Sequence, residues 1–243
     1  MKVIAAIQAR MGSTRLPGKV LKDIGSETML ARVLHRTRRA ALLDEAIVAT
    51  TVNPVDSAIL AECARLHVPV FRGNDRDVLD RYFQAAKAYK ADIVVRITSD
   101  CPLIDPEVID RVIRVFLDMT PDYASNTLVR TYPRGLDTEV MTTAALARAS
   151  SEATEFYQRA HVTPYICQNP RVFRLLSVTT DKNYSSHRWT VDTPEDLEFI
   201  RAVYARLGDD GIFDWHDVLN LLAKEPQLAR LDCHIQQIPL EED

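Results

Sequence analysis

Short apolar runs alternate along this chain with longer segments in which apolar positions recur every three or four residues. The runs at 2–8 (KVIAAIQ), 45–51 (EAIVATT), 68–71 (VPVF) and 92–98 (DIVVRIT) have strand length and are apolar almost throughout. Between and after them, helical spacing predicts helices at 28–40, about 54–66, 76–89 and 106–118. Pro54 and Pro106 sit where a helix accepts proline, in its first turn. In 28–40, Met29, Val33 and Arg36/Thr37 fall on one stripe, and the remaining arginines predict a basic outer face. Strands buried on both faces, each followed by a helix, predict an α/β fold: a doubly wound, mostly parallel sheet covered by helices on both sides.

The second half is less regular. Strands are predicted at 122–126, 136–142 and 172–179, and helices at 143–150, around 154–168, at 194–207 and at 214–223. With no Gly/Ser linker, internal repeat or low-complexity tract between the halves, they read as one domain over 1–243 with a smaller mixed-sheet lobe. The tail after Pro226 gives only weak signals.

Composition narrows the picture. With 243 residues, 47% hydrophobic and 26% charged, the chain is long and apolar enough to bury a large core. Thirty basic against 34 acidic residues leave a net charge of −4, which argues against a protein that coats nucleic acid. The four cysteines, at 63, 101, 167 and 233, form no Cys-x-x-Cys pair, so reduced thiols are expected rather than a zinc ribbon or a disulfide scaffold. No apolar stretch approaches the roughly 18 residues of a membrane span. A cytoplasmic protein, without membrane or nucleic-acid partners, is the expectation.

The strongest chemical signal follows the first strand directly: Gln8-Ala9-Arg10-Met11-Gly12-Ser13-Thr14-Arg15-Leu16-Pro17-Gly18-Lys19. Residues 1–22 carry Lys2, Arg10, Arg15, Lys19 and Lys22, and no acidic residue. Two of the seven glycines fall in this loop. A loop at the carboxyl end of a parallel strand is where open α/β sheets bind ligands, and glycines with basic side chains suit an anion there. Neither common phosphate loop fits: Gly-x-Gly-x-x-Gly is absent, and five residues separate Gly12 from Gly18 where the Walker loop has four.

Acidic residues stand at two further strand ends. Asp100 follows DIVVRIT, and by itself reads as a turn residue before Pro102. Asp192 ends a short predicted strand in Trp189-Thr190-Val191-Asp192-Thr193-Pro194-Glu195-Asp196-Leu197. Thr193 serves as helix cap with Pro194 at the first position, which leaves Asp192 free; Glu195 and Asp196 are favourable charges in the first turn. In the middle of the chain, Arg72 to Arg81 reads as a capped helix start with surface ion pairs. Tyr132-Pro133-Arg134-Gly135-Leu136-Asp137-Thr138-Glu139 places Asp137 and Glu139 on one strand face, where edge-strand charges are the plain reading. His161, in His161-Val162-Thr163-Pro164-Tyr165, is a lone histidine of the kind usually structural. His187-Arg188 precedes the Asp192 segment.

The eleven residues from Ala9 to Lys19 resemble the signature loop of the CTP-dependent cytidylyltransferases that make CMP-sugars, the CMP-KDO and CMP-sialic acid synthetase superfamily. Gln8 and Met11 make the string most similar to the spore-coat-polysaccharide branch. Val-Asp-Thr-Pro-Glu-Asp-Leu and the aspartate before the Pro-Leu-Ile of residues 102–104 resemble two further motifs of that family, and Pro-Arg-Gly-Leu-Asp and His161–Tyr165 resemble segments of the same branch. The resemblance implies a nucleotide-diphospho-sugar transferase fold, with 1–120 as the CTP-binding half, 121–188 as the acceptor and dimerisation lobe, and 189–243 carrying the metal-ligand strand and C-terminal helices. It implies Mg²⁺ on Asp100 and Asp192. Arg10, Gly12, Ser13, Arg15 and Lys19 would hold the triphosphate, and Arg72 and Arg81 the rest of the nucleotide. Arg10, Lys19 and the two aspartates form the catalytic set.

Arg134, Asp137, Glu139, His161 and Arg188 are the candidates for the acceptor. The implied reaction is attack of an acceptor oxygen on the α-phosphorus of CTP, with pyrophosphate leaving and no side-chain general base named. The acceptor expected is a small anion of the 2-keto-3-deoxy sugar-acid type, for surface polysaccharide or glycan synthesis. A phosphonate or other phosphate-bearing acceptor is the alternative within this chemistry. A catalytically silent nucleotide-binding scaffold is the alternative outside it. Relatives pair through the smaller lobe, so a homodimer is expected, with Phe156, Tyr157, Val162, Tyr165 and Ile166 as contact candidates or as plain core.

Overall fold

The computed structural model describes residues 1–228; the tail beyond them, with Cys233, lies outside the described residues. The chain begins with β1 (Val3–Gln8) and a hairpin of β2 (Asp23–Ile24) and β3 (Glu27–Thr28). It continues through α1 (Met29–Thr37), β4 (Glu45–Thr51), α2 (Ser57–Arg65), β5 (Val70–Gly73), α3 (Val78–Ala88), β6 (Ile93–Thr98) and α4 (Pro106–Met119). The second half adds β7 (Tyr123–Ser125), β8 (Glu139–Thr142), α5 (Thr143–Glu152), α6 (Phe156–His161), α7 (Pro164–Gln168), β9 (Leu175–Ser177), α8 (Pro194–Leu207) and α9 (Trp215–Lys224).

Seven strands form one sheet in the order β5-β4-β1-β6-β8-β7-β9. β5, β4, β1 and β6 run parallel, β8 is antiparallel to both of its neighbours, and β9 is parallel to β7. β1 lies between β4 and β6 and is buried nearly throughout, which is why its sequence is apolar on both faces. Val3, Ala5, Ile7, Val95 and Ile97 share a core with residues of α1, α2 and α4. Ile4, Ala6 and Val94 face the other way, into a core with α3 and α5. A third core gathers α8 and α9 around Trp189, Tyr132 and Val191.

The predicted parallel α/β sheet is the observed one; the differences are local. The β2–β3 hairpin is an addition to the sequence reading. The three strands of the second half are shorter than predicted, pairing over three or four residues each. The helix expected around 154–168 is broken in two. Val162 has φ 75° and ψ −59°, and the Thr163 amide donates to the His161 carbonyl at 2.9 Å. This is a γ-turn of the strained, positive-φ kind, directly ahead of a Thr-Pro pair that also disfavours helix. The basic outer face of α1 is partly an inner one: Arg32 is buried, with its Nε on the Ile24 carbonyl at 2.9 Å. Arg36 is buried, and its guanidinium donates to the carbonyls of Ile104 at 2.6 Å and Gly211 at 2.7 Å, facing Asp105. A buried guanidinium persists where backbone acceptors and a carboxylate surround it.

Candidate active site

β1 and β6 end side by side, with Gln8 paired to Thr98. The two segments that leave this edge are the basic loop and the turn carrying Asp100. The loop is folded by its own backbone: the amides of Ser13 and Gly18 both donate to the Met11 carbonyl, at 2.9 and 3.1 Å. Asp56, buried after β4, accepts from the Met11 amide at 2.7 Å and so ties the loop to the next strand. Gly18 has φ 67°, a left-handed turn that starts the short helical turn Lys19–Leu21.

That turn aims Lys19 at both aspartates. Its ammonium donates to Asp100 Oδ2 at 2.9 Å, to Asp192 Oδ1 at 2.9 Å and to the Val191 carbonyl at 2.7 Å. The segment bearing Asp192 is extended but joins no strand ladder, unlike the short strand predicted. It is held through the Trp189 amide on the Arg134 carbonyl at 2.7 Å and the Val191 amide on the Asp100 carbonyl at 2.9 Å. Gly135 makes this approach feasible. It has φ 107°, and a Cβ there would lie 2.8 Å from the Trp189 carbonyl carbon. Asp100 and Asp192, 192 − 100 = 92 positions apart, thus meet on one cation.

Asp192 is also paired to Arg15 at 3.2 Å and to Arg188 at 2.8 Å, and Arg188 reaches on to the buried Asp196. Burial pushes the Asp100 carboxyl up, but the Lys19 ammonium and the Thr98 hydroxyl outweigh it and hold the group at about 2. Burial opposes the charge on Lys19, and the two aspartates overcome it, so the ammonium is held more strongly than usual.

The nucleotide candidates line the same edge. Arg10 is exposed, and Gly12 faces open space, with no atom within 4 Å of where a Cβ would stand. Ser13 turns its hydroxyl back to the Leu16 amide at 3.3 Å. Arg72 is exposed, with its Nε on the Thr51 carbonyl at 2.9 Å. Arg81 is buried beneath Gly73, and its Nε and Nη1 find no acceptor among the described residues. Burial, with Arg10 nearby, lowers its proton affinity. A buried guanidinium with unused donors is costly unless something supplies oxygens.

The acceptor candidates divide. Arg134 is half-buried, and burial together with Arg130 and Arg188 lowers its pKa, partly offset by Asp137. Asp137 is clamped by both terminal nitrogens of Arg130, at 2.6 and 2.8 Å. Glu139 is buried, not on an exposed edge. It pairs with Arg96 and accepts from the Tyr123 hydroxyl at 2.6 Å and the Thr163 hydroxyl at 2.7 Å. Its oxygens are therefore committed to the protein. His161 flanks the Val162 γ-turn, adjoining Thr163 on Glu139. Arg188 is taken up by Asp192 and Asp196.

The structure adds residues that the sequence reading passed over. Arg96 stands in an otherwise apolar strand and donates to the Gln8 side-chain oxygen at 3.2 Å; a charge inside DIVVRIT was the available signal. Arg130 and Asp56 orient Asp137 and the loop, and nothing in their local sequence marks them; Asp196, expected as a first-turn charge, also holds Asp192. Among the described residues no group of three or more His, Cys, Asp or Glu side chains is arranged to hold a metal ion.

The family model described as Cytidylyltransferase matches residues 4–222. The chain belongs to the cytidylyltransferase family. It is 35% identical to the spore coat polysaccharide biosynthesis protein SpsF of Bacillus subtilis, over 93% of this chain and 96% of that one. A solved cytidylyltransferase from Leptospira borgpetersenii superposes with a TM-score of 0.91 at 34% identity, covering 98% of this chain and 99% of the other. A 3-deoxy-manno-octulosonate cytidylyltransferase of Pelobacter propionicus is 39% identical over a shorter stretch, 49% of this chain and 46% of that one. Membership makes this cytidylyltransferase a nucleotidyltransferase near the spore-coat branch. No helix among its described residues is long and apolar enough to cross a membrane.

Proposed function

We propose that this cytidylyltransferase transfers CMP from CTP to a small sugar acid of the 2-keto-3-deoxy type, releasing pyrophosphate. The observation that carries the reading is the convergence of Lys19, Asp100 and Asp192 at the mouth of the basic loop. Arg10, Ser13, Arg15 and the open face of Gly12 offer charge and close backbone approach for the triphosphate. Arg81, with Nε and Nη1 unused, is placed to take oxygens of the nucleotide, and Arg72 borders the same edge. Arg134 supports an anionic acceptor, being half-buried with no carboxylate pairing its side chain among the described residues. Asp137 borders that side, His161 is kept as an acceptor candidate, and Glu139 and Arg188 serve the site by holding neighbours in place.

The donor set fits Mg²⁺. Two carboxylates from separate segments meet at one point, and this cation usually takes one or two carboxylates and completes its shell with water and phosphate oxygens. Asp100 and Asp192 would hold it, and bound there it supplies charge neutralisation for the triphosphate and a lower pKa for the attacking hydroxyl. The protein's own part is positioning. The loop fixes the phosphates, the arginines take up negative charge as pyrophosphate leaves, and the Arg188–Asp196 pair keeps Asp192 in place. Pairing of two copies through the 121–188 lobe is part of the proposal. There Phe156 is exposed, while Val162 and Ile166 belong to the core, and light scattering reads the outcome.

A screen of pyrophosphate release over the four nucleoside triphosphates, each with 2-keto-3-deoxy sugar acids or phosphate-bearing acceptors, tests the reading. Release with CTP and a sugar acid supports it. Release only with a phosphonate or phosphate-bearing acceptor moves the acceptor class. CTP binding without release in any combination favours the scaffold.

A further inference from the structure

A lysine ammonium has three N–H donors. In Lys19 all three are spent, on Asp100 Oδ2, Asp192 Oδ1 and the Val191 carbonyl. None is left for a phosphate oxygen. Nζ sits where these two carboxylates converge, so a cation shared by both would take its place. Lys19 as triphosphate ligand and the aspartates as a cation site therefore exclude one another in this arrangement.

We propose that Lys19 is an exchangeable internal cation: it holds Asp100 and Asp192 together in the free protein, and a divalent cation displaces it and sends it to the triphosphate. The inference rests on the reading of this site as the place where metal and CTP bind. The surroundings suit an exchange. The Lys19 backbone is fixed by its amide on the Leu16 carbonyl at 3.1 Å, while its four-carbon side chain can swing. Asp192 stays anchored when the ammonium leaves, because Arg188 holds Oδ2 at 2.8 Å and Arg15 reaches Oδ1 at 3.2 Å. Asp100 keeps its place through the backbone bond from Val191. The exchange adds positive charge to the pocket at the moment a polyanion enters. It also keeps the two carboxylates from facing each other unpaired when the site holds no metal. A divalent ion alone must compete with a tethered ammonium, so metal and nucleotide should bind together rather than metal first.

The test uses the full-length chain without nucleotide and Mn²⁺ as probe, its binding read by electron paramagnetic resonance. Wild type should bind Mn²⁺ weakly. Lys19→Met should bind one Mn²⁺ at least about tenfold more tightly, since a competing unit charge within a few ångströms is gone. The gain should vanish in the Lys19→Met, Asp100→Asn double variant. A folded Lys19→Met that binds Mn²⁺ no better than wild type overturns the exchange. A second measurement needs no variant: acetylation of Lys19, followed by mass spectrometry, should speed up as Mn²⁺ saturates wild type, and an unchanged or slower rate at saturation overturns it equally. Pyrophosphate release from CTP with a 2-keto-3-deoxy sugar acid is assayed alongside in wild type. Its absence removes the proposed reaction, whereas metal-dependent release with no Lys19 effect removes only the exchange.

Discussion

The backbone amide of Asp192 donates to the carboxylate of Asp196 at 2.7 Å, so the residue that completes the capping box of α8 also sets the position of a residue of the candidate site. Asp196 accepts from the Thr193 amide at 2.9 Å as well and pairs with Arg188, which in turn holds Asp192. Asp196→Ala should cost about 3 kcal/mol of stability, the scale of breaking a buried pair and leaving its partner charged. Well below the melting temperature it should also lower kcat with little change in KM for CTP, because Arg188 then pulls Asp192 unopposed. A variant that loses stability but keeps kcat would make Asp196 a cap and nothing more.

Lys19→Ala should reduce turnover by about 10²-fold or more, the scale of one lost electrostatic contact in the transition state. As a loop lysine, Lys19 reads in the sequence as having little packing to lose. The structure gives it a second consequence. With the ammonium gone, Asp100 and Asp192 face each other without their shared cation, so the variant should melt lower than wild type at neutral pH. Millimolar Mn²⁺ should restore much of the difference by linkage. Calorimetry with and without Mn²⁺ checks both halves.

The acid limb of stability follows from Asp100. Its folded carboxyl is held at about 2, below the ordinary value of 3.8. A depressed pKa contributes stability that is fully present above the unfolded value and is lost as pH falls through the folded one. Wild type should therefore lose stability between about pH 4 and pH 2, and Asp100→Asn should flatten that window. The raised Lys19 works from the other side. Its contribution is complete below its unfolded value of 10.5 and disappears only as pH rises through the higher folded value, so the bridge is intact across neutral pH. Urea unfolding across the acid range reads the slope.

Arg81 separates binding from stability in the opposite sense to Asp196. Its Nε and Nη1 are buried without acceptors among the described residues, so Arg81→Met removes desolvated charge and keeps an unbranched side chain. The melting temperature should hold or rise, while KM for CTP increases about tenfold, the worth of one lost charged hydrogen bond. A lower melting temperature with unchanged KM would place Arg81 in the scaffold.

Much of this was legible in the chain, for physical reasons that differ by region. Strands β1, β4 and β6 are buried on both faces, so their apolar runs are nearly unbroken and fix the parallel core. The loop from Ala9 to Lys19 announced itself by charge, glycine and position. Most residues that orient the site were not legible, because their partners are remote in sequence: Asp56 serves Met11, and Arg96 serves Glu139 and Gln8; Arg130 lies only seven positions from Asp137, but no strand or helix period pairs them. Glu139 shows the limit of periodicity. Alternation places it on the same strand face as Asp137, but only the fold reveals Tyr123, Arg96 and Thr163 closing around it. The break at Val162 is similar, since helical spacing continues through a residue whose backbone turns out of the helix.

The most direct test of the central claim is pyrophosphate release from CTP in the presence of a 2-keto-3-deoxy sugar acid and Mg²⁺, compared between wild type and Asp100→Asn. Release should require CTP, acceptor and metal together, and should fall by about 10²-fold or more in the folded variant. Equal rates in the two proteins, or release indifferent to the acceptor, would contradict it.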